Sequence, residues 1–244
     1  MSLAGKQCIV SGGSRGIGLA IARLFAAEGA ACTLVGRDRP RLDTAVKTLE
    51  RGDDDTLQHD ISCFDVGTVN GWEKLKASTK HQNCDILVNA AGISQNSFLF
   101  ATKPSDLDAL IATNLMGTVW GCKYFVPKMM KQKGGCIINV SSLLATHGGR
   151  GASVYAASKA GVVALTRSLA WEVGRFGIRA NVLLPGYVKT DMTEGMDANG
   201  ELSALIPMGR LGLDTEVAEA ALFLATNSYA HNCVLNIDGG LSAT

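Results

Sequence analysis

The sequence predicts an α/β fold: one doubly wound parallel sheet of about seven strands with helices on both faces, spanning residues 1–244 as a single domain. Three observations predict it. Short β-branched apolar runs alternate with longer segments of helical periodicity along the whole chain, and strands joined through helices pair in parallel by right-handed crossovers. Glycines (28) far outnumber prolines (5), which suits repeated tight strand-to-helix turns. Small-residue turns follow the apolar runs at 12–18, 90–92 and 185–186, at the strand ends where open α/β sheets receive ligands.

Composition narrows the function classes. A chain with 47% hydrophobic and 18% charged residues and a net charge of +1 reads as globular, and the balance argues against electrostatic binding of nucleic acid or a membrane surface. No apolar run approaches the roughly 18 residues of a membrane span. The seven cysteines are scattered and never form Cys-x-x-Cys, so they read as buried thiols in a reducing compartment, with neither a disulfide framework nor a zinc site. The four histidines show no ligand spacing, so no metal is expected. The first strand begins within ten residues of Met1. No cleavable presequence is therefore expected, and the location is cytoplasmic, or the mitochondrial matrix reached by an uncleaved signal.

Taken in order, residues 7–11 form a buried strand, 12–18 a glycine turn and 17–28 a helix. Gly12, Gly16 and Gly18 make Gly-x-x-x-Gly-x-Gly, which lets the backbone turn sharply and a dinucleotide pyrophosphate sit at the helix N-terminus. The second strand, 31–35, is where an acidic residue would hold the ribose hydroxyls of NAD, but it ends in Gly36 and Arg37. Arg37 and Arg15 together suit a 2′-phosphate, and NADPH/NADP+ follows as the cofactor. The alternative makes Asp38 the ribose ligand and Arg37 a solvated loop residue; Asp38 as the cap of a helix with Pro40 in its first turn favours the first reading.

Residues 51–55 read as a solvated acidic turn and 56–59 as a short strand that leads into Asp60 and Ile61, with Asp60 placed to accept from the adenine amino group. A helix at 66–79 and a strand at 85–89 run into Ala90-Ala91-Gly92, where backbone can approach a ligand. A helical region at 104–131 carries Asn114 in its middle, an amide that is either a satisfied core group or a functional one. Strand 136–141 precedes Ser142; helix 154–172 and strand 179–184 follow. Periodicity fades over 187–212, which reads as a mobile substrate lid. Helix 215–226 and strand 233–237 complete about six helices and seven strands.

Tyr155 and Lys159 stand four residues apart on the helix, so both leave one face. A nearby ammonium favours phenolate and lowers a phenol pKa, which makes the pair a tuned acid/base, with Ser142 placed to hold a carbonyl oxygen. The bland alternative is a surface tyrosine beside a solvated lysine.

With Gly12-x-x-x-Gly16-x-Gly18, Asp60, Asn89-Ala-Ala-Gly92, Asn114, Ser142, Tyr155-x-x-x-Lys159 and Pro185-Gly186 in order, the chain resembles the short-chain dehydrogenase/reductase family over essentially its whole length. The resemblance implies a Rossmann domain in which Tyr155 protonates the substrate oxygen and Ser142 orients the carbonyl. Lys159 would bind the nicotinamide ribose and lower the Tyr155 pKa, and Asn114 would hold a water linking Lys159 to solvent. Gly12, Ser14, Arg15, Gly16, Ile17 and Gly18 would hold the pyrophosphate side, Arg37 the 2′-phosphate, and Asp60 and Ile61 the adenine. Asn89, Ala90 and Gly92 would line the ribose region, and Pro185, Gly186, Val188 and Thr190 the carboxamide end. Residues 190–193, 206–212 and 234–240 resemble the 3-oxoacyl-acyl-carrier-protein reductases of bacterial type or their mitochondrial counterparts.

That subgroup implies a β-ketoacyl thioester on acyl carrier protein as substrate, within fatty acid biosynthesis. It also implies a homotetramer, or a hetero-oligomer with a related subunit. Acidic carrier proteins call for a basic rim, for which Lys128, Lys131, Lys133 and Arg175 are the candidates. His231-Asn232, where the subgroup usually has Thr-Gly, and Phe176, at an often basic position, depart from its pattern. The rival readings are a general NADPH-dependent carbonyl or quinone reductase and a cofactor-binding structural subunit.

Overall fold

The computed structural model describes residues 2–50, 58–78 and 83–243. Its strands are β1 (Gln7–Ser11), β2 (Ala31–Gly36), β3 (Asp60–Cys63), β4 (Ile86–Asn89), β5 (Gly135–Val140), β6 (Ile178–Pro185) and β7 (Val234–Ile237). They form one seven-stranded sheet in the order β3-β2-β1-β4-β5-β6-β7, every neighbouring pair parallel. The order reverses between β1 and β4, and the crevice outside the strand ends at such a reversal is where this topology binds ligands.

Helices cover both faces: α1 (Gly16–Ala27), α2 (Arg39–Val46), α3 (Val69–Ala77), α4 (Pro104–Ile111), α5 (Gly117–Gln132), α6 (Ser153–Val173), α7 (Glu201–Ala204) and α8 (Asp214–Thr226). The central strands are buried from both sides, which is why their sequences run apolar without alternation. On one face Phe25, Ile21 and Leu224 pack against Val10 and Leu34. On the other, Trp72 stands edge-on between Phe64 and Phe125, with ring centroids 5.2 and 6.3 Å away, and its indole N–H donates to the Val66 carbonyl. Truncating such fully buried aromatics to alanine costs about 3–5 kcal/mol. Among the described residues no helix is long and apolar enough to cross a membrane.

Several expected boundaries move. Residues 51–55 and Thr56 lie outside the described residues, and the third strand begins at Asp60 rather than ending before it. His59 explains the shift: its ring Nδ1 takes the Cys32 N–H at 3.1 Å, so a side chain replaces the first ladder partner. The third helix starts at Val69 instead of residue 66 because the Asp65 carboxylate accepts the Gly67 N–H and holds a turn there; Thr79, its expected end, lies outside the described residues. The region 104–131 is two α-helices joined by a π-helical turn, Ala112–Met116. That split and the short α7 raise the expected six helices to eight among the described residues.

Candidate active site

Gly12 takes φ +71°, and a Cβ built there would stand 2.7 Å from the Ala91 main chain, so the first turn and the turn after β4 are pressed together. Between them opens a crevice of about 200 Å³ lined by Gly12, Ser14, Arg15, Gly16, Ile17, Gly18, Arg37, Ala90, Gly92 and Thr190. Backbone this close, with no side chains in the way, fits the pyrophosphate of a dinucleotide at the N-terminus of α1. Asp38 caps α2, accepting the Arg41 N–H at 3.0 Å, as expected. Arg15 and Arg37 face the same crevice but hold carboxylates: Arg15 meets Asp191 at 3.0 Å and Arg37 meets Asp65 at 3.7 Å.

A second, larger cavity of about 420 Å³ adjoins it, and Ile17 and Thr190 line both. Ser142, Tyr155, Pro185, Gly186 and Val188 line this cavity. Ser142 stands two residues past the end of β5, is nearly buried, and its Oγ accepts the Leu144 N–H at 3.2 Å, capping the 3₁₀ turn Leu143–Ala145. Tyr155 lies in the first turn of α6 and Lys159 one turn on. Two bonds stitch that helix to the end of β5: the Lys159 ammonium donates to the Val140 carbonyl at 2.9 Å, and Ser141 Oγ donates to the Lys159 carbonyl at 2.7 Å.

Lys159 is 4% exposed, and burial pulls its pKa from 10.5 to about 8. Tyr155 moves up from its ordinary value. Burial is the main cause, a hydrogen bond to Ser142 opposes it, and the neighbouring Tyr187 adds to it. The expected lowering of the Tyr155 pKa by Lys159 is thus not what the chain's own groups produce: the ammonium lies 5.9 Å from the ring centroid and donates its hydrogen bond to the Val140 carbonyl instead.

Asn114 is fully buried in the π-helical turn. Its Oδ1 accepts the Ile93 N–H at 2.8 Å, and its Nδ2 donates to the Ile93 carbonyl at 3.0 Å and to Ser158 Oγ at 3.2 Å. A Cβ on Gly92 would stand 3.4 Å from Lys159 Nζ and 3.5 Å from Asn114 Oδ1, so the turn after β4 lies directly against both groups.

Other expected residues fall elsewhere. Asn89 turns its side chain into the core, where Nδ2 donates to Asn139 Oδ1 at 2.9 Å, and it is not among the crevice-lining residues. Asp60 and Ile61 are not among the crevice-lining residues, and an Asp60 Oδ1 already accepts the Ile61 N–H. Lys128, Lys131 and Lys133 lie at the end of α5 and Arg175 just past α6. Both helices run back from the carboxyl ends of the strands, so these four cations stand at the opposite edge of the sheet from this chain's own cavity. Arg150 is the basic residue lining the cavity, its guanidinium 5.1 Å above the Phe98 ring. His231 ties α6 to β6 within the chain, accepting the Ala180 N–H at 3.2 Å while its other nitrogen meets the Ala170 carbonyl at 3.0 Å. The Phe176 ring lies 4.8 Å below the Arg175 guanidinium.

Sequence reasoning passed over Gln95, Phe98 and Arg150, and placed Tyr187, Met192 and Met196 in the expected lid without singling them out; all six line the cavity. The positions of Gln95, three residues past Gly92, and Tyr187, just after Pro185-Gly186, were the available signals.

Residues 12–242 match the family described as Enoyl-(Acyl carrier protein) reductase. The chain is 38% identical to carbonyl reductase family member 4 of Xenopus laevis, covering 97% of this chain and 98% of that one. It is 41% identical to the 3-oxoacyl-[acyl-carrier-protein] reductase of Bos taurus, covering 98% and 99%. A solved structure titled short chain dehydrogenase/reductase family protein superposes with a TM-score of 0.91 at 35% identity, over 100% of both chains. Sequence, sheet order and the Ser142–Tyr155–Lys159 grouping agree: the chain belongs to the short-chain dehydrogenase/reductase family and is an oxidoreductase of that kind.

Proposed function

We propose that the protein reduces a 3-oxoacyl thioester on acyl carrier protein to the 3-hydroxyacyl thioester, with NADPH as cofactor. The observation that carries this reading is the position of Tyr155 and Ser142 in one largely apolar cavity that opens into the glycine crevice. A reduced nicotinamide bound in that crevice supplies the hydride. The chain supplies the rest. Ser142 Oγ holds the carbonyl oxygen. Tyr155, a phenol whose pKa burial pushes further up, gives that oxygen its proton as negative charge develops. Lys159, charged at pH 7, places a fixed cation behind the phenol. Donors fixed before reaction need no reorganisation, which is usually the largest electrostatic contribution to catalysis.

Arg15 and Arg37 support NADPH over NADH. Each is more than half exposed, and exposed ion pairs are worth about 0–1 kcal/mol, so exchanging Asp191 and Asp65 for a 2′-phosphate costs little. Asp60 and Ile61 remain the proposed adenine contacts, Asn89 the ribose contact through its main chain, and Asn114 the water-holding amide. Residues 187–212 serve as the lid, tied down at the isolated bridge Val188–Gly212. The seven free cysteines suit a reducing compartment, cytosol or mitochondrial matrix. The assembly proposed with this reading is a homotetramer, or a hetero-oligomer with a related subunit.

A second reading, general carbonyl or quinone reduction, draws on the carbonyl reductase relative and on the exposed Phe98, Met192 and Met196 at the cavity. NADPH oxidation with acetoacetyl-acyl-carrier-protein, acetoacetyl-CoA and menadione separates the two. Higher kcat/KM for the carrier-bound thioester supports the first reading; preference for menadione overturns it in favour of the second.

A further inference from the structure

The first turn of α6 carries Tyr155, yet the residue before the helix, Ala152, has no side chain that can cap it. The first backbone N–H groups of any helix lack partners within it. Gln95 supplies the missing acceptor from a different part of the chain: its Oε1 takes the Val154 N–H at 2.9 Å and the Tyr155 N–H at 3.2 Å. Its Nε2 donates to the Ser97 carbonyl at 3.0 Å and to Thr102 Oγ1 at 3.4 Å. Thr102 Oγ1 also pairs with Ser97 Oγ at 2.7 Å and donates to the Phe98 carbonyl at 2.9 Å. One amide, only 7% exposed, therefore joins the loop that presents Phe98 to the cavity with the helix that presents Tyr155.

The orientation of that amide is fixed by its partners. Rotated end for end, its NH₂ would face two N–H donors and its oxygen would face the Ser97 carbonyl. We propose that Gln95 is a positioning residue for Tyr155: it holds the first turn of α6 so that the phenol stays in register with Ser142, and it makes that register depend on the 95–102 loop. Displacements of about 1 Å in a catalytic group can lower rates about 100-fold, so a bond to the Tyr155 backbone itself is a sensitive place to act. The inference rests on the reductase reading in one respect, that Tyr155 is the proton donor.

The test compares the full-length chain with Gln95→Met and Gln95→Glu. Methionine fills the volume but offers neither bond. Glutamate keeps acceptor oxygens at the helix N-terminus, where a negative charge is favoured, and gives up the donor to the Ser97 carbonyl. With a ketone substrate that the wild type turns over, Gln95→Met is expected to lower kcat about 10- to 100-fold. The ketone KM and NADPH Kd should stay within about twofold, and the Val154 and Tyr155 amides should exchange with deuterium about tenfold faster or more. Gln95→Glu is expected to recover kcat to within about threefold of wild type and to restore amide protection. An unchanged kcat in Gln95→Met, or a loss confined to KM, overturns the proposal. If the methionine variant does not fold, a kcat loss beyond about tenfold in Gln95→Glu overturns it instead. Absence of wild-type turnover with every carbonyl substrate would defeat the functional reading and leave amide exchange alone to decide the role of Gln95.

Discussion

At the carboxyl end of β5 the polar groups are buried and already bonded: Ser142 to Leu144, Lys159 to Val140, Asn114 to Ile93 and Ser158. At the mouth of the glycine crevice, Arg15 and Arg37 are each 57% exposed and hold Asp191 and Asp65 across solvent. The first region is assembled by the same burial that folds the chain, so its geometry cannot change without disturbing the core. The second is made of side chains that exchange partners at small cost. On the proposed function, chemistry sits where the fold is stiff and cofactor choice where it is loose, and substitutions in the two places should separate cleanly.

The sharpest test removes the proposed proton donor of the stiff region. Tyr155→Phe should lower turnover of a reducible ketone by about 10²–10⁴-fold while NADPH still binds, read by steady-state kinetics and cofactor fluorescence. Lys159→Met should also lower turnover strongly, and it probes the energetics of burial. The folded-state pKa of Lys159 is about 8, below its value of 10.5. Between those two pH values the unfolded chain binds more protons, so stability rises with pH there. Below pH 8 both states are charged and the folded state carries the full burial cost, on the order of 3 kcal/mol. Urea unfolding of the wild type should therefore gain stability from pH 8 to 10.5, and Lys159→Met should flatten that gain and match or exceed wild type at pH 7.

In the loose region, Arg37→Glu combined with Arg15→Ala should weaken NADPH binding about 10²–10⁴-fold and spare NADH, since each of the two lost charged hydrogen bonds is worth about 1.5–3 kcal/mol. Equal losses for both cofactors would break the comparison. The smallest effect is expected from Asp191→Asn, which frees Arg15 from an exposed pair: NADPH Kd should move by no more than about threefold, and the melting temperature hardly at all.

Much of this was legible in the sequence, and the failures share a cause. The central strands could be read because burial on both faces leaves uninterrupted apolar runs, and Asp38 could be read as a cap because a cap is local. The Tyr155–Lys159 pair was visible because four residues make one helical turn. What stayed hidden depends on contacts across the chain. His59 displaces a ladder bond of Cys32, 27 residues away, and Gln95 caps a helix about 60 residues downstream. The direction of the Tyr155 shift depends on burial, which residue spacing does not report. The π-helical turn around Asn114 has no periodicity of its own over Ala112–Met116. The basic edge was misplaced for a different reason. Lysines near the end of a crossover helix sit, by topology, at the sheet edge away from the strand ends, and that deduction was available from the element order.

The strand order has a consequence for how the chain is made. In β3-β2-β1-β4-β5-β6-β7, each strand after the first docks on an edge that is still free when it leaves the ribosome; none has to be threaded between two partners already paired. The topology therefore lets the sheet grow outward from β1, first one way and then the other, in the order of synthesis. Most of the nucleotide crevice, from Gly12 to Gly92, belongs to the first four strands and their turns, while Tyr155 is translated more than sixty residues after Gly92. Long-range parallel pairing is slow and exposes strand edges to aggregation. A sheet built by successive addition keeps those exposed edges to the two outermost strands at every stage.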